Sequence, residues 1–425
     1  MEIRSVEAVP LRRELDERFA NAQKWISSRE YCLVRVTADD GLNESERRAV
    51  VARTMARVER IRGLEFRESV PVEVITRAEY REQRGNRSGG SDTHEAWNDQ
   101  VWEAALLVGE DRRVSEAFDT IYGTSVQGYY ATGDDRIVLV SDSETPRVDS
   151  RTLAHELVHA LQDQHFGFGS GADTQDRQLA HRGLTEGDAN AVGSLYGQRC
   201  ASEWSCLDRP ERTRSPASEE FDVGVFLAVY APYAEGPGFV TALRERGDWA
   251  AVNDAYDRFP NSTEQVIHPA RYPDDDPVDV RVRDRSSDEW ERFDHDPVGD
   301  TLGEATLYAM LWKHGRVDED RDPYNYSHPA ATGWGGDTVV PYTNGSHGAS
   351  VWKATFDTRE DAREFHDAYR AILESKDARS PRDGIYVVPE GDPFADAFHV
   401  RRSGDTLLVV TAPTVEDLDE VHDVG

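Results

Sequence analysis

Five residues near the middle of the chain, His155-Glu-Leu-Val-His159, constrain its folding more than any other stretch of the sequence. A spacing of four residues places both imidazoles on one face of an α-helix, with Glu156 beside them. A buried helix with two hydrogen-bonded histidines is the alternative, but it leaves that glutamate unexplained. The helix is expected to be buried because its other residues are apolar, namely Leu153, Leu157, Val158 and Leu161.

This arrangement predicts a zinc site with catalytic chemistry. Imidazoles at positions i and i+4 can bind one zinc ion, and bound zinc lowers the pKa of a water molecule. The carboxylate of Glu156 can take the proton of that water as it attacks a carbonyl group. We therefore expect His155 and His159 to be metal ligands and Glu156 to be the general base.

A zinc hydrolase needs a third protein ligand, and two residues compete for that role. Glu186 follows His159 by 27 residues, on a predicted helix over Leu184–Tyr196. His165 is ten residues after His155. If the first helix continues that far, His165 points about 80° away from His155 and lies roughly 15 Å along the axis, too far to share one ion. Glu186 is therefore the predicted third ligand.

The sequence around these residues resembles the gluzincin class of zinc metallopeptidases. It resembles more closely a group of uncharacterised archaeal and bacterial surface metallopeptidases, over about residues 41 to 370. The resemblance implies a zinc peptidase that acts on a peptide or protein substrate. Members of the group usually carry an export signal where this chain has residues 1–40. The matching stretches are Arg62-Gly-Leu, Gly128-Tyr-Tyr, His155-Glu-Leu-Val-His-Ala-Leu-Gln-Asp-Gln-His-Phe, Glu186-Gly-Asp-Ala, Ser262-Thr-Glu-Gln-Val-Ile-His-Pro and Gly333-Trp-Gly-Gly-Asp.

Further side chains are candidates for supporting roles in such a site. Tyr130, Tyr196 and His268 could stabilise the oxyanion of the reaction. His268 is favoured, because its stretch belongs to the resemblance. Asp188 or Asn190 is expected to hold the second nitrogen of a ligand histidine. Gluzincins usually have an aspartate four residues after the glutamate ligand, whereas this chain has Asn190 there.

The expected fold class is α+β, with four segments. Residues 41–272 are predicted to form a zincin-like domain with a small sheet, the two ligand helices and a helical lower lobe. Residues 273–299 are acidic and proline-rich and are predicted to be a linker. Residues 300–425 are expected to form a C-terminal α+β module of unknown role, and residues 1–40 show no clear pattern.

Two short stretches carry more specific structural predictions. The strand Arg136–Ser141, just before the zinc-binding helix, is expected to be the edge strand that holds an extended peptide by backbone pairing. A plain core strand is the alternative, and both can hold together. Gly333-Trp-Gly-Gly-Asp337 is expected to form a tight turn, with substrate binding as the alternative role.

The charge of the chain excludes two classes of partner. Acidic residues number 81 and basic residues 49, so the formal charge of −32 would repel nucleic acid and anionic membranes. Such a carboxylate-rich surface, with only four lysines, is typical of a protein from a salt-loving organism. No apolar run reaches the roughly 20 residues of a membrane span.

The compartment is indicated by glycosylation signals rather than by a leader. Five asparagines stand in Asn-x-Ser/Thr sequons where about one would be expected by chance. This excess favours the cell surface or the exterior, although no secretory signal is visible and a cytoplasmic protein stays open. Cys200 and Cys206 could form a small disulfide loop, and two free thiols are the alternative.

The sequence is therefore interpreted as a zinc-dependent metallopeptidase with Zn²⁺ as its cofactor. The rival is a non-catalytic surface protein of a halophile that keeps zinc for stability. Glu156 argues against that rival, because a structural site has a fourth ligand and needs no base. A third hypothesis is a cytosolic zinc hydrolase that acts on something other than peptides. The sequence carries no signal for the oligomeric state.

Overall fold

The computed structural model describes residues 5–20, 25–37, 41–87, 91–122, 126–143, 145–168, 172–207, 221–318 and 320–422. Its helices are α1 (Glu44–Arg62), α2 (Arg77–Arg87), α3 (Asp92–Ala104), α4 (Val114–Tyr122), α5 (Ser150–Phe166), α6 (Gln175–Ser202), α7 (Val223–Asp257), α8 (Thr263–Ile267), α9 (Gly303–Lys313), α10 (Arg359–Ser375) and α11 (Val415–Val421). Its strands are β1 (Ser5–Ala20), β2 (Trp25–Thr37), β3 (Val72–Ile75), β4 (Gly128–Ala131), β5 (Arg136–Val140), β6 (Glu291–Arg292), β7 (Trp334–Thr343), β8 (Gly348–Phe356), β9 (Arg379–Arg382), β10 (Ile385–Val387), β11 (Ala397–Ser403) and β12 (Thr406–Ala412).

The chain divides into two compact units, and each mixes helices with a sheet. One unit comprises residues 1–83, 126–167 and 192–214, and the other comprises residues 84–125, 168–191 and 215–425. The α+β class is therefore confirmed. The division differs from the predicted boundaries at residues 41, 273 and 300, because α3 packs against β7 and β8, and α4 packs against α7.

The first unit contains a three-stranded sheet in the order β3-β5-β4. β3 runs parallel to β5, and β4 runs antiparallel to it. The strand predicted to be the edge is thus the central one, and that prediction is wrong. β5 is central because the segment Val72–Ile75 pairs with it as a second neighbour, from more than 60 residues away in the sequence. β4 is the edge strand that packs against α5.

α1 is a helix whose ends are set by its own sequence. Asn43 accepts a hydrogen bond from the backbone of Glu46, and the Glu46 carboxylate accepts one from the backbone of Asn43. Gly63 ends the helix in the left-handed conformation, with φ of 78°. The helix packs against α5 in the same unit.

Two further features of the first unit lie in segments for which the sequence favoured no single structure. Residues 1–40 contain the paired strands β1 and β2, which run antiparallel from Ser5 opposite Thr37, with a register shift after Glu14. Cys200 and Cys206 form a disulfide just where α6 ends.

The second unit is built on a seven-stranded antiparallel sheet in the order β6-β7-β8-β12-β11-β10-β9. Alternation along the strands gives it two apolar faces. α10 packs on one face through Phe365 and Tyr369, and α11 packs on the other through Leu418 and Val421. Residues 300–425, the predicted C-terminal module, lie within this unit, and their being a separate module stays a prediction. The predicted linker, residues 273–299, instead contributes β6 to this sheet and buries Trp290.

Two of the stretches that carry the family resemblance, one beginning at Ser262 and one at Gly333, meet at the start of α9. Asp337 accepts hydrogen bonds from the backbones of Leu302 and Gly303 and from the Trp334 indole. Gly303 has a φ of +74°, and a Cβ there would lie 1.7 Å from a carboxylate oxygen of Asp176. The Gly333-to-Asp337 stretch therefore anchors a helix. It is not the predicted tight turn, because β7 already begins at Trp334.

In the second unit, the helices α7, α8 and α9 pack against one another. α7 is interrupted at Gly247 and Asp248, where the backbone leaves the helical conformation. Ser262 caps α8, because its hydroxyl accepts a hydrogen bond from the backbone of Gln265. No helix among the described residues combines the length and apolar character needed to cross a membrane.

Candidate functional site

α5 is held in place by its caps and by its apolar residues. Asp149 accepts hydrogen bonds from the backbones of Arg151 and Thr152, which satisfies donors at the first turn. Gly167 ends the helix with a φ of +68°. Leu153, Leu157, Val158 and Leu161 are at most 1 % exposed, so the predicted buried helix is confirmed.

The two histidines of α5 bring their ring nitrogens together. The Nε2 atoms of His155 and His159 lie 3.1 Å apart, and their rings are nearly perpendicular, at 87°. Nδ1 of His159 lies 2.9 Å from Oε1 of Gln162, one turn later. Since an amide oxygen only accepts, Nδ1 carries the proton and Nε2 keeps its lone pair. That lone pair is what metal ligation requires.

Glu156 is held by the edge strand of the sheet. Its Oε2 accepts a hydrogen bond from the backbone N–H of Tyr130 on β4, at 3.0 Å. Glu156 is only 8 % exposed. A backbone donor on a strand is a rigid partner, so the carboxylate has a fixed direction beside the two imidazoles.

The phenol of Tyr130 is committed to other carboxylates. Its hydroxyl donates to Oδ2 of Asp163 at 2.9 Å and lies 3.3 Å from Asp135. Burial and the negative charge of Asp163 raise the pKa of Tyr130 above its ordinary value. The backbone of Tyr130 contacts Glu156 while its hydroxyl contacts Asp163, and the oxyanion role of that hydroxyl stays a prediction.

The predicted third ligand lies on α6, where a tyrosine holds it. The hydroxyl of Tyr233, on α7, donates to Oε1 of Glu186 at 3.0 Å. Burial, followed by the charge of Glu186, raises the pKa of Tyr233 well above its ordinary value. Glu186 is half-buried on α6, and its role as the third ligand stays a prediction.

The predicted supporting residues on α6 have identifiable partners. Asp188 is fully buried and accepts a hydrogen bond from the hydroxyl of Tyr256 at 2.9 Å. That bond joins α6 to α7, as the bond between Tyr233 and Glu186 does. Asn190 is half-buried on the same helix. The role of Asp188 or Asn190 in orienting a ligand histidine stays a prediction.

His268 lies at the end of α8 and is paired with an acid that the sequence did not indicate. Its Nε2 is 2.9 Å from Oε1 of Glu304, and the Thr332 hydroxyl donates to the same oxygen at 3.1 Å. Glu304 is 0 % exposed, and burial raises its pKa while the bond to His268 lowers it. The contact fixes the imidazole, whose catalytic role stays a prediction.

The remaining candidates have structural contacts. Tyr196 is 1 % exposed, and its hydroxyl accepts a hydrogen bond from Arg57 at 3.0 Å. α5 continues through His165 to Phe166, as predicted, and Nε2 of His165 lies 2.8 Å from the backbone carbonyl of Glu65.

Two residues of the site were missed by the sequence analysis. Gln162 stands three residues after His159 on the same helix face, so its spacing could have indicated it. Tyr233 is 47 residues from Glu186 and belongs to another helix. No local pattern marks that contact, because it depends on how α6 and α7 pack.

Comparisons with known proteins give one match. Residues 291–422 match a family described as a domain of unknown function (DUF8575). The match covers β6 and everything after it in the second unit, and none of the residues of the candidate site except His268's partner Glu304. No curated protein and no solved structure matches the chain.

Proposed function

We propose that this chain is a zinc-dependent metallopeptidase of gluzincin type. The observation that carries the proposal is the arrangement on α5. The Nε2 atoms of His155 and His159 converge to 3.1 Å, and Glu156 lies between them in the sequence with its carboxylate held by a strand. Two imidazole nitrogens that converge from one helix face can bind the same metal ion.

The donor set fits zinc. Two imidazole nitrogens and one carboxylate oxygen are the ligands of many catalytic zinc sites, and they leave a fourth position open. We propose His155, His159 and Glu186 as these ligands. Gln162 supports His159 by fixing the proton on Nδ1, and Tyr233 supports Glu186 by holding Oε1. When bound, zinc would polarise the carbonyl of the substrate and acidify a water molecule.

Glu156 is proposed to move the proton. Its carboxylate would accept a proton from the attacking water and deliver it to the leaving amine. The backbone N–H of Tyr130 binds Oε2 and so holds the carboxylate in place for this role. An amide in this place could keep the hydrogen bond with the strand but could not accept the proton.

β4, rather than the predicted β5, is proposed to hold the peptide. The Val140 N–H donates to the Gln127 carbonyl, so alternate residues of β4 turn their backbone groups away from β5. Gly128 and Tyr130 are those residues, and the Tyr130 N–H indeed points to Glu156. An extended substrate pairing at Gly128 would run beside the general base.

We propose that the enzyme acts outside the cell. The sequon excess supports export, and the disulfide between Cys200 and Cys206 is more common in oxidising compartments. A peptidase at the surface of a halophile would meet unfolded protein in high salt, which matches the acidic composition.

Replacing Glu156 by glutamine tests the peptidase directly. Glu156→Gln should keep bound zinc and its melting temperature but lose hydrolysis of an unfolded protein in molar salt by at least about 100-fold, because the base is gone. Zinc content and cleavage are measured on the same preparation. Glu245→Gln, which removes an exposed carboxylate from α7, is the matched control and should behave like the wild type.

The outcomes separate the rival functions. Equal cleavage by the wild type and Glu156→Gln would rule out the proposed base. Zinc binding without cleavage of protein by the wild type would favour the non-catalytic zinc protein. Cleavage of small esters but not of peptides, abolished by Glu156→Gln, would favour a zinc hydrolase with another substrate.

A further inference from the structure

The second unit contains a basic pocket that the peptidase function does not use. It has a volume of about 370 Å³ and lies beside β8, β11 and β12. Its lining includes five cationic side chains: Arg281, Arg283, Arg285, Lys353 and Arg401. Pockets of this size are typical of small-molecule sites in proteins.

The strand register places the base of the pocket on one face of the sheet. Leu408 stands opposite Lys353 on one side and opposite Arg401 on the other. Side chains directly opposite each other on neighbouring strands share a face. Two residues further along, Val351 and Val410 are covered by α11. The row that contains Lys353 lies just beyond this cover and is open to solvent.

The wall of the pocket is an extended segment that precedes β6. The Lys353 ammonium donates to the backbone carbonyl of Arg281 at 3.4 Å. Val282 packs against the apolar cluster under α11, and its carbonyl accepts a hydrogen bond from Arg292. These contacts fix the backbone on which three of the arginines stand.

Two acidic residues stand near this wall, and one of them already binds a lining cation. Asp279 binds the guanidinium of Arg281, and Asp284 accepts from Ser286 and lies near Arg292. None of the ten described residues that line the pocket is acidic. The chain has 81 acidic and 49 basic residues, so five charged side chains taken at random would all be positive roughly one time in a hundred. An anionic ligand would offset the mutual repulsion of these clustered positive charges.

We propose that this pocket binds the tetrahedral oxyanion of a phosphate or sulfate monoester. Guanidinium forks match such anions with paired hydrogen bonds, and an ammonium adds a point charge. Ser403 and Thr406 stand opposite each other on β11 and β12 at the same pocket. The Thr406 hydroxyl donates to Asp405, and the Ser403 hydroxyl can donate to a further oxygen of the anion. The remaining volume accommodates a small organic group on the ester oxygen.

Titration calorimetry on the full chain tests this site. Phenyl phosphate and phenyl sulfate are the two probes, and benzoate, a planar monoanion, is the control, all in chloride at constant ionic strength. One equivalent of phosphate or sulfate ester should bind saturably, and whichever of the two binds more tightly identifies the source. Benzoate should bind at least tenfold more weakly.

Variants locate the binding. Lys353→Gln with Arg401→Gln should weaken the ester at least tenfold, and Arg283→Gln, on the opposite wall, should weaken it independently of the sheet. Arg363→Gln removes a guanidinium from α10 that is already paired with Glu360, and it should leave binding unchanged. Absence of saturable binding, equal affinity for benzoate, or unchanged affinity in both pocket variants would overturn the proposal.

Discussion

Three of the candidate catalytic or ligand side chains have a neighbour that helps to fix their direction. Gln162 fixes His159, the Tyr130 backbone fixes Glu156, and Tyr233 fixes Glu186. Such partners determine which atom faces the metal or the substrate, and removing one typically costs 10- to 100-fold in metal affinity. The site is therefore an arrangement of paired residues rather than of isolated ligands.

Tyr233 gives the clearest prediction at this scale. Tyr233→Phe keeps the ring but removes the donor to Oε1 of Glu186, so zinc affinity should fall by about tenfold. Competition with a chelator measures this affinity, and the cobalt-substituted protein should show a changed visible spectrum because the carboxylate can bind differently.

Tyr256→Phe is the matched control for that prediction. It removes a tyrosine–carboxylate bond between the same two helices, but the carboxylate is that of Asp188. Zinc affinity and the cobalt spectrum should stay close to those of the wild type. Equal losses in the two variants would show that helix packing, not the orientation of Glu186, decides the affinity.

The helices and strands differ in how far the sequence predicts them. α1, α5 and α8 have caps within their own sequences, so Asn43, Asp149 and Ser262 indicate where they begin. β5 was correctly predicted as a strand, but its place in the sheet was not. A strand becomes central only through its second partner, here β3, and that pairing leaves no mark in the sequence of β5.

Two of the stretches that carry the family resemblance have a structural role that the sequence did not predict. Ser262-Thr263 and Gly333-to-Asp337 look like parts of a site, because glycine and acid residues often surround ligands. In the structure Thr263 donates to Asp176 and Asp337 binds the start of α9, so both stretches organise one helix end. The contact joins residues more than 80 positions apart, which no local pattern reveals.

The choice of third ligand is a prediction about α5 and α6. Glu186→Ala should lose zinc by more than about 100-fold and lose activity, because one of three ligands is gone. His165→Ala removes only a ring contact with the Glu65 carbonyl, so it should keep zinc and cost about 1 kcal/mol of stability. Zinc content after dialysis and the melting temperature are measured for both. Loss of zinc in His165→Ala with retention in Glu186→Ala would reverse the assignment.

At the scale of the whole molecule, acidic residues outnumber basic ones by 81 to 49, and the basic pocket departs from that balance. The formal charge of −32 acts over the entire surface, whereas the described ion pairs are mostly exposed and individually weak. Their sum cannot offset the repulsion among 81 carboxylates. Screening by salt is therefore expected to be a condition of stability for this chain.

The melting temperature should consequently fall when the protein is dialysed from molar potassium chloride to about 0.01 M, where the Debye length grows from roughly 3 to 30 Å. Carboxylates that are screened from one another in molar salt then repel across the surface, and the folded state holds them closer together than the unfolded chain does. Sucrose at matched water activity is the control, since it changes hydration without screening charge, and it should not restore the melting temperature at low salt. Sodium chloride at the same ionic strength should restore it as well as potassium chloride does. A melting temperature that stays constant across the dialysis, or that sucrose restores fully, would contradict the inference that this acidic surface needs screening.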